Sequence, residues 1–456
     1  MVLVLAYQQH MITLFRILIA LLLTALTNLA AQTTWSLDDC VSYALEHNLQ
    51  LKDFKYVKDS DRETFRQSVR DLLPNISGES SYIINYGRST DPFTNDIVNS
   101  EFFNNNYSLN ASMDLFQGFQ KLNSIRASKF LFQAAMEDVQ QQKYLLAFRV
   151  MSAYFDIKFY EGLLNNSIDQ SKISERNHAL VKKQIELGLK AGSDLYEAEA
   201  TLLGDKLLVT QNENLLAATK LTLLQEMNLA DVTDIVLQDD IELVESRNQA
   251  IDIDSVYRTA RNFIPVIKSK ELRAKAAKKD LAVARGRLYP AISIFSGYST
   301  GYYETTIDTL GFIIPFKNQF NDNASRYIGA SINIPISYGW SGRSRVKQQK
   351  ISLARAQNNV ALQEQELFKI IQQVVQQNNA LQVETDQSNK KLEAQALAFE
   401  IAQKKYEKGL INSLELFQAK NLYGTAQNEN LQVRIKLQVN QKTLDFYGGL
   451  PVFNIN

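Results

Sequence analysis

GFQKLNSIRASKFLFQAAMEDVQQQKYLLAFRVMSAYFDIKFYEGLLNNSIDQSKISERNHALVKKQIELG, residues Gly118 to Gly188, is the stretch that decides the fold. It holds no proline and one internal glycine, Gly162, and is otherwise rich in Gln, Lys, Glu, Leu, Ala and Met. Read as one helix, its roughly 70 residues at 1.5 Å rise span about 105 Å. That is several times an ordinary helix, so the stretch belongs to a coiled coil, a membrane-crossing element or a repeat. Apolar residues fall at Leu122, Ile125, Phe132, Met136, Val139, Leu146, Val150, Ile157, Leu164 and Ile168. Their steps of three, four and seven make a heptad seam, interrupted by Lys129 and Lys143. A water-lined or loosely paired face is compatible with those two lysines.

The same element recurs. Arg343 to Gly409 has no proline and no internal glycine, and Val346, Leu353, Val360, Leu367, Val374 and Leu381 stand seven residues apart. A strict interval of seven keeps one stripe facing a partner. Gly118 and Gly339 precede the two long helices, and Gly188-Leu189 and Gly409-Leu410 close them, each pair separated by about 221 residues. Asp194-Leu195-Tyr196-Glu197-Ala198 is answered by Glu415-Leu416-Phe417-Gln418-Ala419, and Arg70-Asp71-Leu72-Leu73-Pro74 by Arg287-Leu288-Tyr289-Pro290. The chain is therefore a two-fold repeat of helix, two strands, long helix, turn and helix.

These spacings give a domain plan. Residues 32–229 form repeat 1: a helix over Leu37–Leu72, capped by Ser36, a hairpin over 75–117, the long helix 118–188, a tip turn and a helix over 193–229. Residues 254–447 form repeat 2: a helix over Asp254–Leu288, a hairpin over 291–338, the long helix 343–409, a tip turn and a helix over 413–447. The opening helices stop before Pro74 and Pro290, because the residue before proline is pushed out of the helical region. Residues 230–253 and 448–456 remain as linker and tail. Residues 1–31 read as a secretory signal peptide, apolar from Leu14 to Leu29 with Ala30-Ala31 at the cleavage site and Met11 a candidate start; an N-terminal membrane anchor is the other reading. The only cysteine, Cys40, has no partner in the chain and reads as a buried, inert thiol.

Inside the hairpins the period drops to two. Tyr107, Leu109, Ala111, Met113 and Leu115 share one face, and Asn106, Ser108, Asn110, Ser112 and Asp114 the other. Ile76 to Tyr86 alternates similarly, as does Ile292 to Tyr302, and Ser325 to Ile336 places Ile328, Ala330, Ile332, Ile334 and Ile336 together. Strands of about ten residues, apolar outward and polar inward, suit an outer-membrane barrel, with the polar loops 87–105 and 304–324 outside the cell. The same hairpins are also readable as soluble, packed on the helices. In lipid, four strands are too few to close a barrel, since open edges cannot sit in hydrocarbon, so several copies must combine.

On these features the chain resembles the TolC family of outer-membrane efflux and secretion channels. The carrying residues are the repeat, the junctions Asp114-Leu115-Phe116-Gln117-Gly118 and Pro335-Ile336-Ser337-Tyr338-Gly339, and the turns at Gly188-Leu189 and Gly409-Leu410. The resemblance implies a homotrimer in the outer membrane of a Gram-negative bacterium. Its twelve-stranded barrel, four strands per chain, would be continuous with a long α-helical coiled-coil barrel in the periplasm, and residues 230–253 and 448–456 would be equatorial. It implies three partners: outer-membrane lipid, a periplasmic adaptor and an inner-membrane transporter, the whole passing small molecules or polypeptides outward. The adaptor would dock at Gly188, Leu189 and Lys190 and at Gly409, Leu410 and Ile411; a plain turn between two helices is the other reading of these positions. Glu415 would line a narrow periplasmic aperture, with Gln418 where a second acid often lies, and Tyr406 is expected to hydrogen-bond Asp194 and hold the tip shut. An ordinary solvated charge is the other reading of Glu415.

Composition agrees with a binding or conducting protein. The 456 residues carry a formal net charge of +0, which argues against nucleic acid as the partner. His10, His47 and His178 have no ligand-spaced companions, Gly339-Trp340-Ser341-Gly342-Arg343 lacks the pattern of a phosphate loop, and no enzyme constellation, metal or cofactor is expected. The alternative of a different class is a soluble, exported coiled-coil scaffold or adaptor without a pore.

Overall fold

The structure is a computed structural model that describes residues 34–90, 95–99, 101–230, 232, 234–238, 251–337 and 339–455. The signal-peptide reading of residues 1–31, Tyr338, and parts of the 87–105 loop and of the 230–253 linker lie outside the described residues.

The opening segment holds two helices, α1 (Leu37–His47) and α2 (Leu49–Arg70), rather than the single helix expected over 37–72. Ser36 caps α1 in a reciprocal box with Asp39, and that hydroxyl bond holds the Asp39 carboxyl below the usual carboxylate range. The break is at Asn48, which turns extended (ψ 124°); its amide donates to Glu226 O at 2.9 Å while its Oδ1 accepts from Leu51 N. A buried side chain that answers two backbone groups competes successfully with continued helix. The hairpin strands follow as β1 (Asn75–Asn85) and β4 (Phe102–Gln117), with the short pair β2 (Arg88–Thr90) and β3 (Ile97–Asn99) in their loop. Then come α3 (Gln120–Glu186) and α4 (Gly192–Met227).

The second half repeats this order. Its opening segment is again broken, into α5 (Ile253–Phe263) and α6 (Pro265–Gly286), where one helix over 254–288 is expected. Here the cause is Pro265, which holds Ile264 extended and occupies the first helical position of α6. Both halves thus open with helices of 11 and 22 residues. β5 (Ala291–Tyr303) and β6 (Ser325–Asn333) follow, separated by a helix, α7 (Phe316–Asp322), where the sequence suggests only a polar loop. α8 (Ser341–Glu407) and α9 (Ser413–Tyr447) complete the chain; α3 and α8 are both 67 residues long. Among the described residues no helix is long and apolar enough to cross a membrane.

The chain divides into two compact units. One comprises the described residues of Met1–Lys52, Gln142–Phe263 and Phe368–Asn456. Its core holds Cys40, Leu51, Leu146, Val150, Ile157, Leu223, Met227 and Ile371, all nearly inaccessible. Burial pushes the Cys40 thiol up to about 12, so it is inert. Trp35 bridges Leu237 in parallel, and Phe453 and Phe446 close an aromatic group with Phe148, Tyr144 and Phe263. Gly162 faces Leu431 so closely that a Cβ would stand 2.5 Å from its Cδ2. Polar contacts join α3 to α9: Asn166 to Asn428 at 2.9 Å and Gln170 to Gln427 at 3.1 Å. Lys420 of α9 is 4% exposed; its amine donates to Ser174 of α3 at 2.6 Å and pairs with the Asp205 carboxylate of α4.

The other unit, Asp53–Gln141 with Ile264–Leu367, carries the sheet. Its strand order is β1-β4-β5-β6, every neighbour antiparallel, so the two halves meet at the central β4–β5 pair. A register shift between Asp114 and Phe116 takes Leu115 out of strict alternation. At the junction into α3, Gly118 (φ +58°) and Phe119 (φ +61°) are both left-handed, and Gly339 (φ +56°) and Trp340 (φ +61°) repeat this before α8. Ser269 and Arg273 both donate to Asp138, each at 2.5 Å, fixing α6 on α3.

Two predictions follow from this packing. Gly118→Ala places a Cβ 2.2 Å from Gly286 O, whereas Gly188→Ala meets nothing within 4 Å and incurs only the left-handed cost, about 1–2 kcal/mol. Thermal unfolding followed by circular dichroism should show a clearly larger drop for the first; equal drops would mean the 118–286 contact is not rigid. Lys420→Met leaves the half-buried Asp205 carboxylate without its partner and should cost about 1–3 kcal/mol, while the double change Lys420→Met with Asp205→Leu should recover most of it. A single variant as stable as the parent would show that the pair is not buried in solution.

Candidate functional site

Two places in the molecule are candidate functional sites. The first is the pair of turns between long and short helices. α3 ends with Leu187, Gly188 and Leu189: Gly188 sits at φ +72°, its N–H reaches Ile185 O at 2.9 Å, and Leu189 N reaches Gln184 O at 2.8 Å. α8 ends identically, with Gly409 at φ +72°, Gly409 N to Tyr406 O at 2.9 Å and Leu410 N to Lys405 O at 2.9 Å. This is the Schellman closure, in which glycine accepts the left-handed conformation and the last carbonyls are answered. Each closure lifts a leucine into solvent, with Leu189 at 71% and Leu410 at 69% exposed.

Beneath the turns the four helices pack together. Val181, Ala198, Phe399, Tyr406 and Leu416 form a buried cluster, with Ile185 and Ile411 against it, and Phe399 stacks on Tyr423 at 5.5 Å. Tyr406 is 2% exposed, and its hydroxyl accepts from Lys190 Nζ at 2.8 Å, the amine also lying 4.4 Å from the ring centroid. The expected Tyr406–Asp194 bond is therefore replaced by a Lys190–Tyr406 clasp between the two turns. Asp194 stays on the first turn of α4, where its N–H bonds Ala191 O. No cue in the sequence could have paired Lys190 with Tyr406, since the two are 216 residues apart.

Across the turns Ser413 donates to Glu197 at 3.2 Å. Asn412 caps α9 by accepting from Glu415 N at 2.9 Å, which fixes the backbone of Glu415 while leaving its carboxylate exposed; Gln418, one turn on, is exposed as well. The structure thus brings Lys190, Tyr406 and Ile411 together and leaves Glu415 and Gln418 facing solvent within a single chain. Among the described residues no group of His, Cys, Asp or Glu could hold a metal ion.

The second place is the sheet. The register puts Ile76, Leu109, Met113, Ile294, Ile328 and Ile332 on one face and Ser77, Ser108, Asn110, Ser293 and Ser331 on the other. The apolar face is open: Ile76 is 66% exposed, Leu109 53%, Ile328 86% and Ile332 66%. A patch of that extent does not face water in a soluble monomer.

Comparison with known proteins gives both places a context. A family model described as outer membrane efflux protein matches residues 40–229 and 256–450. The cation efflux system protein CusC of Escherichia coli O157:H7 is 22% identical over 410 residues, covering 89% of this chain and 84% of that protein. Protein CyaE of Bordetella pertussis is 22% identical over 208 residues, 45% of this chain and 41% of its own. Among solved structures, the outer-membrane channel OprN superposes with a TM-score of 0.76 at 18% identity, covering 91% of this chain and 89% of that one. The Campylobacter jejuni CmeC outer membrane channel gives 0.74 at 16% identity, covering 91% and 85%. The two matched stretches fall one in each half of the repeat, and the family they match, outer membrane efflux proteins, supports the channel and not the soluble scaffold. The chain belongs to the outer membrane efflux protein family and is an outer-membrane channel protein of a Gram-negative bacterium.

Proposed function

We propose that three copies of this chain close one twelve-stranded barrel, and that their helices continue it as a periplasmic tunnel. The assembly is an exit duct taking cargo from an inner-membrane transporter through a periplasmic adaptor. The observation that carries this reading is the sheet, in which β1 and β6 stand at the two ends of the strand order while one face is apolar. In lipid an open edge leaves backbone N–H and C=O groups unanswered at several kcal/mol each, so the edges must meet edges of other copies.

The turns are the adaptor's docking site. Gly188 and Gly409 fix two exposed leucines, Leu189 and Leu410, on rigid closures, with Lys190 and Ile411 beside them. Exposed apolar side chains on rigid supports are what a partner's pocket captures at low entropic cost. Through the Lys190–Tyr406 clasp the two turns of one chain move together, so an adaptor engaging either biases both. Glu415 and Gln418 line the aperture, with Asp194 and Tyr406 behind them; three Glu415 carboxylates around an axis attract cations and repel anions. CusC carries cation efflux in its name; a cation-preferring aperture is consistent with a related cargo here, while the transporter decides whether small molecules or polypeptides enter.

Two measurements test this. Purified protein in planar bilayers should conduct, with Glu415→Gln lowering the cation-to-anion permeability ratio; an unchanged ratio removes Glu415 from the aperture. Replacing Gly409 and Leu410 together by glutamate should abolish export in cells while the protein still reaches the outer membrane as a trimer. Full export by that variant would refute docking at the turns.

A further inference from the structure

The connection between β5 and β6 is built as a rigid foot. After Tyr303 the chain makes a tight turn in which Ile307 bridges Ile313, Asp308 N donates to Phe312 O at 2.8 Å and Gly311 takes φ +85°. The Asp308 carboxylate is turned inward, its Oδ1 accepting from Leu310 N and Phe312 N at 2.9 Å each. The turn leads directly into α7, which is stapled to the sheet by Gln319, 2% exposed. Its Oε1 accepts from Tyr303 N, and its Nε2 donates to Tyr303 O and Ile314 O.

The side on which α7 sits is decisive. Phe320 lies 5.6 Å from Tyr107 and Phe316 lies 5.7 Å from Tyr302, and Thr300 donates to Phe320 O. Tyr107, Thr300 and Tyr302 share their face with Leu109, Ile294 and Ile328, so α7 lies on the apolar face and not on the serine and asparagine face. From Ile292 to Tyr302 the strand makes about ten steps of about 3.3 Å; tilted by about 40°, they rise through roughly 25 Å, the height of the apolar band in such barrels. The foot therefore stands at the band's upper end. What it shows there is apolar: Leu310 is 79% exposed, Phe312 70%, Ile307 57% and Ile313 52%. Between Ile307 and Phe316 the one ionisable side chain is Asp308, whose carboxylate is already occupied.

We infer that this segment is a lipid anchor: Leu310, Phe312 and Ile313 dip into the headgroup–acyl boundary of the outer leaflet, outside the barrel wall, as an interfacial apolar element does. The inference rests on the apolar face being the lipid-facing one, as in the proposed function, because the foot's surface is continuous with it. A rigid foot at the rim fixes the depth and tilt of each copy in the membrane, which strands alone leave soft.

The test uses the full-length protein with single introduced cysteines, since Cys40 is buried and inert. Phe312→Cys, Leu109→Cys and Ser108→Cys are labelled with a small fluorophore and placed in phosphatidylcholine vesicles carrying a nitroxide at a shallow or a deep acyl carbon, with iodide as the aqueous quencher. The expected result is that position 312 loses fluorescence to the shallow nitroxide more than to the deep one and resists iodide, while position 109 is quenched by the lipid probes and position 108 by iodide. If position 312 is quenched by iodide alone, or by neither, while 109 still meets lipid, the anchor is overturned and the barrel stands. If 109 also fails to meet lipid, the lipid-facing assignment falls and the anchor with it.

Discussion

A strand at the end of a sheet presents backbone donors and acceptors that hydrocarbon cannot answer, and this constraint governs the molecule. β1, β4, β5 and β6 alternate in direction, so in the proposed barrel β6 of one copy would meet β1 of the next antiparallel, the same relation that holds inside the sheet. The two end strands come from different halves of the repeat. A contact between copies through these edges would therefore be head to tail, of the kind that closes a ring rather than a two-fold dimer. The repeat supplies this asymmetry, because each half contributes one inner strand to the β4–β5 pair and one outer strand to an edge. Apolar surface on one face and small polar side chains on the other then give such a ring a lipid side and a water side.

The helical unit faces a different problem: helices of great length with too few large apolar residues to bury between them. It is met by mixing heptad packing with polar contacts. Ile371, Val375 and Leu381 are buried along α8, but α3 and α9 meet through Asn166–Asn428, Gln170–Gln427 and the buried Lys420 with Ser174 and Asp205. Ionic and amide contacts of this kind contribute little net stability and constrain register strongly. Near the turns the halves are tied by the Tyr406 cluster, the Lys190 clasp and the Ser413–Glu197 bond.

Much of this was legible in the sequence because it is carried by residues with one physical meaning. Gly118, Gly188, Gly339 and Gly409 all stand at positive φ, where other residues are strained, and so they mark strand-to-helix junctions and helix ends. Period-two alternation placed the strands to within a few residues. The opening helices read from the sequence as single elements, and the structure breaks each in two. Pro265 was visible and sufficient to break one, whereas the Asn48 break depends on a carbonyl at Glu226, which local pattern does not reveal. α7 is not legible in the sequence because Phe-Lys-Asn-Gln-Phe-Asn-Asp is too short to show a period, and Gln319 holds it by bonding the strand before it. Phe119 and Trp340 were not foreseen as left-handed residues, for bulky side chains seldom adopt that conformation. At the turns, the Tyr406 hydroxyl accepts from Lys190 where the sequence suggests Asp194.

In lipid, one chain is unable to satisfy its own sheet edges. The most direct measurement is the mass of the full-length protein in detergent, by light scattering with the bound detergent subtracted, combined with hydrogen exchange at the amides of β1 and β6. A single species of three chains, with both end strands protected, is the predicted result. A monodisperse species of one chain, with β1 and β6 amides still protected, would contradict it.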